Sequence, residues 1–326
     1  MKARGRLLAA VALGILSVPF PSDAQAPVRV FRVGFLTPVS QSAREELFRH
    51  ELGRLGYVEG QNLAIEYRSA DGNFERLPGL AGELVALKAD VIVAVVTQAA
   101  LAARRATSTI PIVMVGVSDP VASGLVTSLA RPGGNVTGTS ATVADIVGKQ
   151  LELLREMLPG VSRVAALWNP ANPVFQKQQL GETMTAAAAL RVQLRLVEAR
   201  TSDELDRAFT AIAGQRTDAL LILGDPMFTL HRARIGELAA RRRLPTVSGA
   251  SEFADAGVLA TYGPSFADAY RLAAPYVDRL LKGAKPADLP VERIAKFELV
   301  INARTVRTLG VTIPQSVAVR AERVIE

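Results

Sequence analysis

Val91-Ile92-Val93-Ala94-Val95-Val96 is an unbroken apolar run that stops at Thr97-Gln98, and helical spacing follows from Gln98 to Ala106. A half-exposed strand would alternate apolar with polar residues. An unbroken run rich in β-branched side chains suits a strand covered on both faces, as in a parallel sheet with helices above and below. The same unit recurs on either side. Upstream, 32–36 reads as a strand, 42–55 as a helix with Leu47, Leu52 and Leu55 on one face, 63–67 as a strand and 77–87 as a helix. Downstream, 110–117 reads as a strand and 121–130 as a helix.

Arg131-Pro132-Gly133-Gly134-Asn135-Val136-Thr137-Gly138 interrupts this rhythm, which then restarts. Helices are expected at 146–158, 178–190, 205–213 and 232–241, and strands at 164–168, 192–198, 219–223 and 245–248. Beyond Tyr262-Gly263-Pro264 come a long helix at 266–282, a loop at 285–290, a strand at 297–301 and a short helix at 303–309. Two successive α/β units imply two cores. The fold class is α/β, with two Rossmann-like lobes of parallel sheet joined by a hinge. Residues 28–138 plus 264–295 form the first lobe, and 139–263 plus 296–326 the second. Crossings fall near Gly138 and Gly263, with a third near Phe297.

Ahead of the first strand stands a three-part leader. Lys2, Arg4 and Arg6 precede an apolar run from Leu7 to Phe20, and small residues follow, which is the layout of a secretory signal over 1–24 with cleavage before Gln25. The chain has no cysteine, so it lacks disulfides, thiolate chemistry and the attachment point of a lipid anchor. The expectation is a periplasmic protein, free in solution, monomeric and not inserted in a membrane. The formal charge of +7 falls to about +5 once Lys2, Arg4, Arg6 and Asp23 are removed. Its densest clusters, Arg104-Arg105 and Arg241-Arg242-Arg243, sit at the ends of helical stretches, where cations complement the helix dipole. With only 5% aromatic residues to stack on bases, nucleic acid is excluded as a partner.

In open parallel sheets, ligands bind beyond the carboxyl ends of the strands. That rule selects Thr37 and Ser40, Thr97 and Gln98, and Ser118 and Asp119 in the first lobe, with Asn169, Asp225 and Ser248 in the second. Each is an amide, hydroxyl or acid, and several open a helix, where free backbone N–H groups suit a carboxylate. The competing role for each is plain N-capping. Trp168 and Phe175 offer aromatic surface for a ligand, with core packing the competing role for Trp168. No catalytic set emerges: His50 and His231 lack metal-ligand spacing, no G-x-S-x-G occurs, and Thr139 stands where a phosphate-binding loop needs lysine. Neither metal nor cofactor is expected.

Several stretches then resemble one family in order. They are Phe31-Arg32-Val33-Gly34-Phe35-Leu36, Leu55-Gly56-Tyr57-Val58-Glu59-Gly60-Gln61-Asn62, Asp119-Pro120-Val121, the glycine-rich 131–138 segment, Leu167-Trp168-Asn169-Pro170, Tyr262-Gly263-Pro264 and Lys296-Phe297-Glu298-Leu299-Val300-Ile301-Asn302. The chain is similar to the ABC-transporter substrate-binding proteins related to tryptophan- and tyrosine-import binding proteins. The resemblance implies a type I periplasmic-binding-protein fold, an amino acid or an aromatic or carboxylate-bearing compound as ligand, and delivery to a membrane permease. It places ligand contacts at Thr97, Ser118, Asp119, Asn169 and Asp225. The alternatives are a sensor presenting the same fold to a membrane receptor, and a small-molecule enzyme.

Overall fold

The computed structural model describes residues 29–40, 42–141 and 144–326. The expected signal segment 1–24 and its cleavage point lie outside the described residues, as does the side chain of Phe175. The chain opens with β1 (Phe31–Thr37), α1 (Ser42–Arg54), β2 (Leu63–Ser69), α2 (Leu77–Ala86), β3 (Val91–Val95), α3 (Val96–Ala106), β4 (Ile112–Val117) and β5 (Val136–Ser140). It continues through α4 (Ala144–Met157), β6 (Arg163–Trp168), α5 (Pro173–Ala189), β7 (Gln193–Glu198), α6 (Leu205–Gly214), β8 (Ala219–Ile222), α7 (Pro226–Leu230), α8 (Arg232–Arg241), β9 (Thr246–Ser248), α9 (Glu252–Asp255) and β10 (Ala260–Pro264). The last part holds α10 (Phe266–Leu281), β11 (Glu292–Arg293), β12 (Phe297–Asn302), α11 (Ala303–Leu309), α12 (Gln315–Ala318) and β13 (Arg323–Ile325).

These strands make two sheets, ordered β11-β5-β4-β3-β1-β2 and β13-β12-β10-β9-β8-β6-β7. Every pairing is parallel except β10 with β12. The chain passes from the first sheet to the second after β5, returns after β10 to lay α10 on the first sheet, and crosses again between β11 and β12. The apolar run of β3 shows why both faces are covered. Val91, Val93 and Val95 enter the core under α1 and α10, while Ile92 and Ala94 enter the core under α2 and α3. The second sheet divides likewise: Ala219 and Leu221 pack on one side, Leu220 and Ile222 on the other.

Two sequence expectations need correction. Residues 121–130 form turns rather than a helix. Asp119 ties down the backbone N–H groups of Val121 (3.1 Å) and Ala122 (2.9 Å), and Gly124 at φ +72 ends the turn before a second can build. Leu125 and Val126 then both donate to the carbonyl of Pro120 and drop into the core. Secondly, the β3 strand stops at Val95, and Val96 begins the helix with φ +57. A β-branched residue is strained in this left-handed region, typically by ~1–3 kcal/mol.

Candidate functional site

A cavity of about 100 Å³ opens between the carboxyl ends of the two sheets. Its first wall is built by Thr37-Pro38-Val39 after β1, the β3–α3 junction from Val95 to Gln98, and Gly116 and Ser118 at the end of β4. Arg44 of α1 and Phe266 and Tyr270 of α10 complete that wall. Opposite stand Gly224-Asp225-Pro226, Thr229 on α7, Gly249-Ala250 after β9, and Pro264. Both sheets contribute their strand ends, because parallel strands bring all their carboxyl termini to one edge.

Of the residues selected from sequence, Thr37, Thr97, Gln98, Ser118 and Asp225 line this cavity. The Thr37 hydroxyl donates to the Val39 carbonyl at 2.7 Å and fixes its own loop. Thr97 accepts from the Ser118 N–H at 3.4 Å, joining the ends of β3 and β4. Ser40 is exposed and bonds Glu45, and Asp119 caps its own turn; neither lines the cavity. Asn169 and Ser248 are buried behind the wall. Trp168 packs against the second-lobe core instead of facing the cavity.

Asp225 carries the strongest chemical signal. It is 4% exposed and lines the cavity. Its carboxylate accepts from Asn169 Nδ2 (3.1 Å), Asn172 Nδ2 (2.8 Å) and the Met227 N–H (2.9 Å). All three donors are neutral. Burial pushes its pKa above the ordinary aspartate value, and the hydrogen bonds from Asn172, Asn169 and the backbone only partly oppose this. A buried carboxylate facing a cavity with neutral donors alone is matched to a cation arriving with a ligand.

Contacts between the lobes close the cleft. Gln98 Nε2 donates to Asn172 Oδ1 at 2.6 Å, linking α3 to the residue that holds Asp225. Arg44 forms an ion pair with Glu252, largely shielded from solvent, and its guanidinium lies 5.0 Å from the centre of the Phe266 ring. Phe266 in turn rests on Gly116, where φ is +65 and a Cβ would stand 2.6 Å from the ring. Sequence reasoning missed Arg44, Val96, Asn172, Thr229, Phe266 and Tyr270. The signal for the last two lay in their four-residue spacing at the start of a helix that follows a crossing, a position facing the cleft.

Among the described residues, no group of three or more acidic or histidine side chains is arranged to hold a metal, and no helix is long and apolar enough to cross a membrane. Two lobes, a cleft at the strand ends and a buried acid without a cation define a binding protein that encloses a small solute. The chain belongs to the family of ABC transporter substrate-binding proteins, which it matches over residues 33–325. Members of this family are binding proteins, not enzymes.

A tyrosine-binding protein of Clostridioides difficile is 29% identical over 254 residues, covering 78% of this chain and 72% of that one. The L-Trp complex of a Streptococcus pneumoniae protein is 27% identical with a TM-score of 0.83, covering 91% of this chain and all of that one. A ligand-free, open substrate-binding protein of Clostridium difficile is 26% identical, covers 91% of this chain and 99% of its own, and scores 0.66. At nearly equal identity, the chain superposes more closely on the ligand-bound relative than on the open one.

Proposed function

We propose that the protein is an extracytoplasmic receptor that captures an amino acid between its lobes and delivers it to the permease of an ABC importer. The observation that carries this reading is Asp225, a buried carboxylate on the cavity wall whose hydrogen-bond donors are all neutral. The ligand's ammonium takes the place beside it. Its carboxylate lies at the start of α3, where free backbone N–H groups and the hydroxyls of Thr97 and Ser118 gather. The tyrosine- and tryptophan-binding relatives support an amino acid, and the leader at 1–24 supports export to the periplasm. Native mass spectrometry of the protein purified from its own periplasm tests this directly. An amino-acid mass retained by the folded protein is expected, and a metal, nucleotide or sugar in its place refutes the reading.

The lobes, 28–138 plus 264–295 and 139–263 plus 296–326, move about the crossings near Gly138, Gly263 and Phe297. The inter-lobe links Gln98–Asn172 and Arg44–Glu252 belong to the closed state, whose likeness to the L-Trp complex supports this assignment. Small-angle scattering is expected to give a smaller radius of gyration with ligand than without. Superimposable profiles at saturating ligand would show a rigid cleft.

A further inference from the structure

The amino-acid reading leaves part of the cavity wall unassigned, and Tyr270 belongs to that part. It is 1% exposed and lines the cavity. Other tyrosine hydroxyls in the first lobe have partners: Tyr57 donates to Asp278, Tyr276 to the carbonyl of Pro290, and Tyr67 accepts from Arg49. No hydrogen bond joins the Tyr270 hydroxyl to a described residue, and its oxygen is not among the sealed atoms left without a partner, so it opens toward the cavity. A phenol that ends in a cavity offers a donor and an acceptor to whatever enters it.

The surroundings restrict what that partner is. Arg44 lines the same wall, and its charge is balanced by Glu252 from the second lobe. Arg44 acts electrostatically on Tyr270 in one sense, and Glu45 and Glu252 act in the other; Glu45 is in turn bonded by the Ser40 hydroxyl. Burial keeps the phenol neutral, so it offers an O–H donor and lone pairs without charge. Where the nearby cation is already paired with Glu252, Glu45 is bonded by Ser40 and the phenol is neutral, an uncharged polar group is favoured over either a free charge or bare hydrocarbon.

Resting on the amino-acid reading, we propose that Tyr270 is the specificity-determining residue of the cleft. It hydrogen-bonds an uncharged polar group, a hydroxyl or a carboxamide, at the side-chain end of an amino acid whose ammonium sits on Asp225. Titration calorimetry with two matched pairs of probes, L-tyrosine against L-phenylalanine and L-glutamine against L-methionine, provides the test on wild type and Tyr270→Phe. In at least one pair, the wild type is expected to bind the polar member about ten-fold more tightly or better. Tyr270→Phe is expected to reduce that preference to within about two-fold. The phenyl ring keeps its packing near Phe35, and the wild-type comparison stands independently of the variant. Equal affinities within both pairs, tighter binding of the apolar members, or a preference that survives in Tyr270→Phe overturns the assignment. Binding of none of the four is a different failure, which removes the amino-acid reading and the role of Tyr270 with it.

Discussion

Asp225→Asn is expected to weaken amino-acid binding by ~2–5 kcal/mol, about 30-fold or more in Kd. The melting temperature of the ligand-free protein should stay unchanged or rise. The two halves of this result have separate causes. Asparagine keeps the size of the side chain and its acceptor for the Met227 N–H, and it caps a helix as well as aspartate does. What it removes is a charge held by neutral donors in a dry site; its new amide N–H faces Asn172, whose side-chain amide, with that of Gln98, turns over to keep the bonds. Because burial raises the folded-state pKa of Asp225 above its unfolded value, the folded protein favours the protonated acid. Ionisation therefore costs the free protein stability as pH rises through the raised pKa, and that cost is relieved in acid. A bound ammonium reverses the balance by favouring the carboxylate. Affinity should accordingly fall as pH drops through the same raised pKa in the wild type and show no such dependence in the variant. Calorimetry across pH and a thermal melt measure both. Intact affinity, with at most a small change in melting temperature, would make Asp225 a structural cap.

Gly138→Ala is expected to destabilise the free protein by ~3 kcal/mol or more and lower its melting temperature by about 10 °C. Gly138 sits in β5 at φ +126, a backbone region that side chains rarely enter. A Cβ there would overlap the carbonyl oxygen of Met114 on the neighbouring strand β4. The overlap is with backbone, which no rotamer change relieves. Strain and overpacking therefore add at one position. The pairing of β4 with β5 shifts register between Met114 and Val117, so the glycine accommodates a local irregularity where the chain leaves the first lobe. A thermal melt of the alanine variant within about 2 °C of wild type would contradict this account.

The parallel sheets were legible because their strands are covered on both faces, and burial on two sides leaves an uninterrupted apolar signature such as 91–96. The cleft was half legible. Thr97, Gln98, Ser118 and Asp225 lie within three residues of a strand's end, so the rule about strand ends reaches them. Arg44, Phe266 and Tyr270 reach the cavity from helices, α10 joining the first lobe only after the chain has traversed the second, and no local pattern records that return. Asn169 follows a strand and Ser248 ends one, yet their side chains turn into the protein, the former to hold Asp225. Position after a strand sets proximity to the cleft; which side of the wall the side chain takes depends on packing. Residues 121–130 misled because leucine, valine and alanine at helical spacing say nothing of the Asp119 turn and the left-handed Gly124 that divert the backbone.

The late arrival of α10 also sets an order of assembly. Ala269, Tyr270, Ala273, Ala274, Tyr276, Val277 and Leu280 make up a large share of the core against which β1, β3 and α1 pack. A growing chain has therefore produced every strand of the second lobe up to β10 before this face of the first sheet can be covered. Until then the N-terminal half carries exposed apolar surface and contacts of very long sequence separation still to be made, which slows its completion. The same return that furnishes the cleft with Tyr270 thus keeps the newly synthesised N-terminal half from locking into its final form until most of the polypeptide exists.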